Sequence, residues 1–324
     1  MPAFAGRKFA RFRVALAYKK RVPGENRRYR NRSEHGRSLI TWRFCNSLHR
    51  YNCFMSDLYR VSAKYYDEAY ATLEDLRDLQ FYLGMARRTG GPVLELACGT
   101  GRVLLPIAEQ GLRIDGVDSS PAMLAQLQHK LAREPQHIRE LVEIASGDLR
   151  SYRSRRKYAL VIIPFRPLQH MYTVKDQLAA LNTAAFHLAS GGLLAFDVFY
   201  PRFQSLLAGV GEETLELQWT RKNDPTTAVR RYLRKESVDK INQNFSAQFI
   251  YRTYQGDKLI EEETAPLKMA YYTYPHLRVL FLLAGLDIVE EYGSCEKAPL
   301  DNDSKEMVFV LQRAARKRAK GKTE

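Results

Sequence analysis

The chain is poor in cysteine, with only Cys45, Cys53, Cys98 and Cys295 in 324 residues and no C-x-x-C pair among them. This excludes a disulfide scaffold, argues against a zinc site, and fits a reducing, cytoplasmic setting. No apolar run approaches the roughly 18 residues of a membrane span. The N-terminus shows no long apolar stretch of the secretory type. No internal repeat and no long low-complexity run is visible. What is present is ordinary globular composition, 45% hydrophobic and 27% charged, enough to bury a sizeable core. The length suits two domains, or one large domain with insertions.

The net charge of +15, taken whole, points to a nucleic-acid binder. Counted by segment it says less. Residues 1–54 hold 14 Lys/Arg against Glu25 and Glu34, and residues 313–324 hold 6 against Glu324. The body, 55–312, has 31 basic and 33 acidic residues, a charge of −2. The first segment interleaves its cations with Phe9, Phe12, Tyr18, Tyr29, Trp42 and Phe44. It reads as an RNA-touching arm, an organelle transit peptide, a disordered extension, or the product of a start upstream of Met55. As like-charge runs are usually solvated, the disordered and upstream-start readings are preferred.

Within the body, strand and helix patterns alternate. The spacing of Leu76, Leu79 and Leu83 predicts a helix over 72–88, capped by Thr72 and stopped by Gly90-Gly91-Pro92. Val93–Ala97 reads as a buried strand, Arg102–Gln110 as a helix, and Arg113–Asp118 as the next strand. Ser119 or Ser120 caps a helix bearing Leu124, Leu127 and Leu131, with Pro121 in its first turn. Strands follow at 142–145, at 158–165 and, after a helix at 175–189 ended by Gly191-Gly192, at 193–199. Such alternation predicts a parallel sheet with helices on both faces and a ligand at the carboxyl ends of the strands. Residues 215–221, 228–239, 243–254 and 258–270 instead read as an inserted antiparallel sheet. A helix through Leu277, Leu280, Phe281 and Ala284, stopped by Gly285, and strands at 287–292 and 306–312 complete the pattern.

Glu95-Leu96-Ala97-Cys98-Gly99-Thr100-Gly101 joins the first strand to a helix. A dinucleotide site wants G-x-G-x-x-G, but Leu104 holds the third glycine's place, which weakens a nicotinamide reading. Asp118 ends the next strand, where a carboxylate can accept both hydroxyls of a ribose. Ser146-Gly147-Asp148 ends the third.

With three acids at three successive strand ends, the sequence resembles the class I S-adenosylmethionine-dependent methyltransferases over about 55–312. The resemblance implies an α/β, doubly wound, mostly parallel sheet of Rossmann-like methyltransferase type. The antiparallel β insertion, about 210–270, resembles the small-molecule N-methyltransferase branch, where such a sheet roofs the active site. The implied cofactor is S-adenosyl-L-methionine. Glu95 would orient its methionine moiety, or merely satisfy turn amides. Ala97 stands where the family has its first glycine. Gly99 and Gly101 would offer free N–H groups to its carboxylate. Arg102 would pair with that carboxylate or lie on the helix surface. Asp118 would hold the ribose and Asp148 the adenine, with Ser119, Leu149 and Phe165 completing the set. Tyr66, Tyr70, Arg166, Gln169 and Tyr271 are the expected acceptor pocket, with packing roles as the alternative, and His170 is a candidate base. No metal is expected. The end of the fourth strand, Ile163-Pro164-Phe165-Arg166, lacks the Asn/Asp-Pro-Pro-aromatic sequence of enzymes that methylate base amines.

The expected activity is methyl transfer to a small-molecule or peptide acceptor, an amine first. The alternatives are an RNA or protein methyltransferase gripping its substrate through the tails, and a non-catalytic basic-armed binding module. Nucleic acid enters only through the tails, no membrane is expected, and the oligomeric state stays open.

Overall fold

The computed structural model describes residues 59–73 and 77–315. The basic extension 1–54, Met55, Leu76 and the basic tail from residue 316 lie outside the described residues.

The first elements are helices α1 (Arg60–Ala71) and α2 (Asp78–Thr89). The helix expected over 72–88 therefore begins later, and Thr72 closes α1 instead of opening α2. The α1 sequence Arg-Val-Ser-Ala-Lys-Tyr-Tyr-Asp-Glu-Ala-Tyr-Ala carries no leucine stripe, and its register comes from what Tyr65 and Ala69 bury. The main sheet then forms from β1 (Val93–Leu96), β2 (Ile114–Asp118), β3 (Val142–Ser146), β4 (Tyr158–Ile163) and β5 (Leu188–Phe199), with α3 (Leu104–Glu109), α4 (Pro121–Leu131), α5 (Gln136–Arg139) and α6 (Val174–His187) between them. The Ser120 hydroxyl caps α4 by accepting from Met123 N, with Pro121 in the first turn, where its missing N–H costs little. Gly191-Gly192 does not stop α6: the chain turns extended at Leu188, and the glycines fall inside β5.

After a short helix α7 (Phe203–Leu207) come β6 (Glu213–Arg221), β7 (Asp224–Asp239), β8 (Asn244–Gln255) and β9 (Lys258–Ala270), a separate antiparallel sheet in sequential order. Helix α8 (Tyr274–Ala284), closed by left-handed Gly285, leads to β10 (Leu286–Tyr292) and β11 (Glu306–Arg313). The main sheet has the order β10-β11-β5-β4-β1-β2-β3. The strands β1 to β5 are mutually parallel, with β3 at one edge, and β11 runs antiparallel to both neighbours.

The apolar runs of the central strands divide between two cores by the period-2 rule. Leu94, Leu96, Val161 and Ile163 pack with Ala180, Leu181, Leu280 and Phe281 of α6 and α8. Val93, Leu160 and Ile162 pack with Phe81, Met85, Ile107 and Leu127 on the other face. Helix α1 couples the two sheets. Tyr65 and Ala69 bury themselves against Trp219, Val229 and Tyr251 of the antiparallel sheet. Its other side is tied to the main domain by Asp67, which accepts from the Thr100 hydroxyl (2.6 Å) and pairs with Lys130 (2.8 Å). The antiparallel sheet thus stands over the carboxyl ends of the parallel strands. No helix among the described residues is long and apolar enough to cross a membrane.

Candidate active site

A cavity of about 460 Å³ opens at those strand ends, and its floor and roof come from different parts of the chain. Ala97, Gly99, Asp118, Ser119, Asp148, Leu149 and Phe165 line the sheet side. Ala97 (φ +62°) and Gly99 (φ +54°) both take the left-handed conformation, which suits glycine and strains alanine. Asp118 fixes this turn: its Oδ2 accepts from Gly99 N and its Oδ1 from Ser120 N, both at 2.8 Å. Burial raises its carboxyl above the ordinary value, and the Ser120, Gly99 and Ser119 amides offset part of that. A carboxylate has about four lone-pair sites, so each Asp118 oxygen keeps one for a second donor.

Glu95 does not line the cavity but is buried beneath it, 3% exposed, with Oε2 making no hydrogen bond among the described residues. Burial drives its carboxyl well upward, opposed by the Arg102 charge. Gly101 also lies outside the lining. Its φ is +82°, and an added Cβ would stand 2.3 Å from Leu127 Cδ1, so a glycine is required for the turn and its packing on α4. Arg102 lies outside the lining: Asp78 of α2 grips it bidentately (2.9 and 2.5 Å), and the pair is mostly buried. Asp148 lines the cavity, but both of its oxygens already accept from Arg150. Burial would raise its carboxyl; the Arg150 hydrogen bonds outweigh burial and hold it low.

The opposite side is aromatic. Tyr59, Tyr66, Tyr70, Phe199, Phe245 and Phe249 line it. Tyr70 packs on Tyr66 (4.4 Å between centroids) and on Phe165 (4.9 Å). Tyr65, one residue before Tyr66, faces the roof, where it stacks on Tyr251 at 4.4 Å. His170 lines the cavity in a fixed tautomer. Its Nδ1 lies 3.1 Å from the Lys268 carbonyl, which can only accept, so Nδ1 carries the proton and Nε2 accepts from the Tyr59 hydroxyl (2.7 Å). Burial lowers its pKa to about 4, partly countered by the Lys268 carbonyl.

Two expected pocket residues turn away. Gln169 is fully buried and ties the two sheets together, donating to the Ala270 carbonyl (2.9 Å) and accepting from Phe199 N (2.8 Å). Tyr271 packs against Phe203 beneath the roof, outside the cavity lining. Tyr272 and Tyr274 likewise bond elsewhere, to the Leu168 carbonyl and to Glu291. Arg166 does line the cavity, as expected. It follows Phe165 in a pair of left-handed residues (φ +65° and +71°). The turn is held by buried Asp197, whose Oδ1 accepts from Phe165 N (2.7 Å) and from the Tyr82 hydroxyl (2.6 Å). Burial raises the Asp197 carboxyl to about 6, although Tyr82 and Arg166 lower it. Sequence reasoning passes over Tyr59, Asp197, Glu216 and Arg231. The only local signal any of them gives is a charge in an otherwise apolar run, as in Ala195-Phe196-Asp197-Val198.

Residues 93–192 match the family model of a methyltransferase domain. A cypemycin N-terminal methyltransferase from Streptomyces sp is 26% identical over 226 residues, 69% of this chain and 84% of that protein. A dTDP-3-amino-3,4,6-trideoxy-alpha-D-glucopyranose N,N-dimethyltransferase from Streptomyces venezuelae is 27% identical over 108 residues, 33% of this chain and 42% of that one. Among solved structures, the CcbJ methyltransferase from Streptomyces caelestis superimposes with a TM-score of 0.65 at 26% identity, over 80% of this chain and 98% of that chain. The sheet order, the acid-and-glycine turn beneath the cavity and these similarities agree: residues 93–192 form a methyltransferase domain, and together they support an S-adenosylmethionine-dependent methyltransferase.

Proposed function

We propose that this methyltransferase acts on the nitrogen of a small-molecule or peptide amine, within a catalytic domain of about 55–312 roofed by the antiparallel sheet. The residues present fit the cofactor. Glu95 Oε2, buried without a donor, suits an ammonium, and Asp118 retains lone pairs for two hydroxyls. Ser119, Leu149 and Phe165 would bound it, with Asp148 shared between it and Arg150. When bound, S-adenosylmethionine supplies a methyl group already activated by its sulfonium.

The protein's own task is then to position the acceptor and exclude water. The observation that carries the amine reading is the Tyr59–His170 pair. A proton passing from a lysine-like ammonium (about 10.4) to an imidazole at about 4 climbs by about 9 kcal/mol. His170 is therefore a poor base, and its work is to hold Tyr59. With its O–H committed to His170, the Tyr59 oxygen is left as an acceptor that can orient an acceptor N–H. A neutral amine already has its lone pair and needs no strong base in the bond-forming step. A hydroxyl or a carbon acid would need one. The aromatic walls suit an amine with apolar substituents. The peptide N-terminus and amino sugar in the names of two relatives support the same choice, and the near-neutral body favours a small acceptor over nucleic acid.

The test is transfer of labelled methyl by the full chain to a panel of amines and their hydroxyl counterparts, beside peptide and RNA pools. Product labelled on nitrogen of small amines or peptides is expected. Labelling confined to hydroxyls or to RNA would overturn the proposal.

A further inference from the structure

Two arginines in the cavity wall have unfinished hydrogen bonding. Arg231, on β7 of the roof, is 7% exposed. Its Nη1 donates to the Tyr70 hydroxyl (3.3 Å), its Nη2 lies 3.2 Å from Glu216, and its Nε is buried with no partner. Arg166, at the end of β4, also has a buried Nε without a partner, and it makes no ion pair among the described residues. Asp197 feels the Arg166 charge, but its Oδ1 is already taken by Tyr82 and Phe165.

Both guanidiniums lie against one aromatic cluster, in which Tyr70 meets Phe165 edge-on. Arg231 lies 4.4 Å from the centroid of Phe249 and 5.4 Å from that of Tyr70. Tyr70 packs on Phe165, and Arg166 lies 5.8 Å from the same Phe165 ring. Packing against the rings restrains the guanidiniums, which reduces the ordering needed to present an N–H fork. A buried N–H without an acceptor is costly and is normally satisfied by a ligand or water. Two such groups, approaching one cavity from the roof and from the sheet, match a planar or tetrahedral oxyanion.

We propose that Arg231 and Arg166 form an oxyanion subsite in the acceptor half of the cavity, taking a carboxylate or phosphate carried by the methyl acceptor. The proposal rests on the reading of that half as the acceptor site. The acceptor is then an amine with an anionic group: the Tyr59 side orients its nitrogen and the arginines fix its register. Glu216, partnering Arg231 at the cavity wall, prevents the roof cation from standing alone when no acceptor is bound.

The test uses the full chain saturated with S-adenosylhomocysteine and titrated in a calorimeter with phenylacetate, phenyl phosphate and neutral phenylacetamide. At least one oxyanion is expected to bind about tenfold or more tightly than the amide, the size of one charge-assisted hydrogen bond. The preference should vanish in Arg231→Gln and in Arg166→Gln, with S-adenosylhomocysteine affinity unchanged. If Arg231→Gln does not fold, Arg231→Lys, which keeps the charge and loses the fork, should show a reduced preference. The two oxyanion arms tell carboxylate from phosphate. Equal binding of all three probes, no binding on the order of 10 mM, a preference that survives substitution, or variants that weaken S-adenosylhomocysteine instead would each overturn the subsite. Labelled transfer to oxygen rather than nitrogen would overturn the amine reading and leave the oxyanion preference standing on its own.

Discussion

Replacing Asp118 by Asn separates its role in the turn from its proposed role in holding the cofactor. Its two oxygens accept the Gly99 and Ser120 amides at 2.8 Å, and it lines the cavity. Asn is the same size but turns one acceptor into an NH2 donor. Whichever way the amide is placed, one of the two amides meets a donor instead of an acceptor. A buried N–H left without its partner costs about 1–3 kcal/mol. For a domain of this size that lowers the melting temperature by roughly 2–10 °C. The cofactor loses more than geometry: one ribose hydroxyl loses its acceptor, and the other keeps a neutral one. Removing one charge-assisted hydrogen bond, worth about 1.5–3 kcal/mol, weakens binding by about 10- to 150-fold. The assay is calorimetric titration of the full chain with S-adenosylmethionine, paired with a thermal melt. A folded Asp118→Asn protein that binds within about threefold of wild type would refute the assignment of Asp118 to the cofactor. A loss of affinity with no change in melting would refute its role in the turn.

Two buried groups titrate against each other. His170 titrates at about 4 folded and 6.5 free, so the unfolded chain takes up a proton that the folded chain refuses, and stability falls as pH drops through that window, by up to about 3 kcal/mol. Asp197 runs the other way: it titrates at about 6 folded and 3.8 free, so stability falls as pH rises through that window, by a similar amount of about 3 kcal/mol. The contributions of these two groups should therefore nearly cancel from about pH 4 to 6. In denaturant titrations Asp197→Asn should lose stability toward acid and His170→Gln should lose it toward neutral pH; parallel profiles for all three proteins would show that these groups are not shifted. Gly101→Ala forces a Cβ toward Leu127 at φ +82° and should cost about 1–3 kcal/mol. Adding Leu127→Ala should relieve the contact but not the backbone strain, so a double variant no different from the sum of the singles in a melt would contradict this. Glu95→Gln keeps the side chain's size but removes the carboxyl that a bound ammonium would ionise; S-adenosylmethionine affinity should drop by about tenfold or more in calorimetry, and unchanged affinity would exclude Glu95 from holding the cofactor.

The parts of this molecule legible in sequence are those set by local rules. Alternation of apolar runs with capped helices, such as Ser120-Pro121 opening α4 and Gly285 closing α8, calls for a parallel sheet. Right-handed crossovers then bring Ala97, Asp118 and Asp148 to one edge without further information. The alternating segments from 215 to 270 could be read as a second sheet for the same reason. Helix α1 shows in sequence only as the helical spacing of Tyr65, Tyr66 and Tyr70; which way those rings face is set by a roof that lies far along the chain.

Which side chains face the cavity was decided by contacts across the chain. Gln169 and Tyr271 stand at strand ends where a pocket was expected, yet Gln169 bonds Ala270, 101 positions away, and Tyr271 packs under the roof. Arg102 is silenced by Asp78 from another helix. Arg231 meets Tyr70 from 161 positions away, and Tyr59 meets His170 from 111. Turn chemistry and periodicity act over a few residues, so the sequence by itself determined the sheet and its strand-end acids, and their resemblance to a family implied the class of cofactor. The direction of a side chain and the state of its charge depend on packing and burial by distant segments, and so only the tertiary structure decided the aromatic cavity wall, the neutral His170 and the roof arginine.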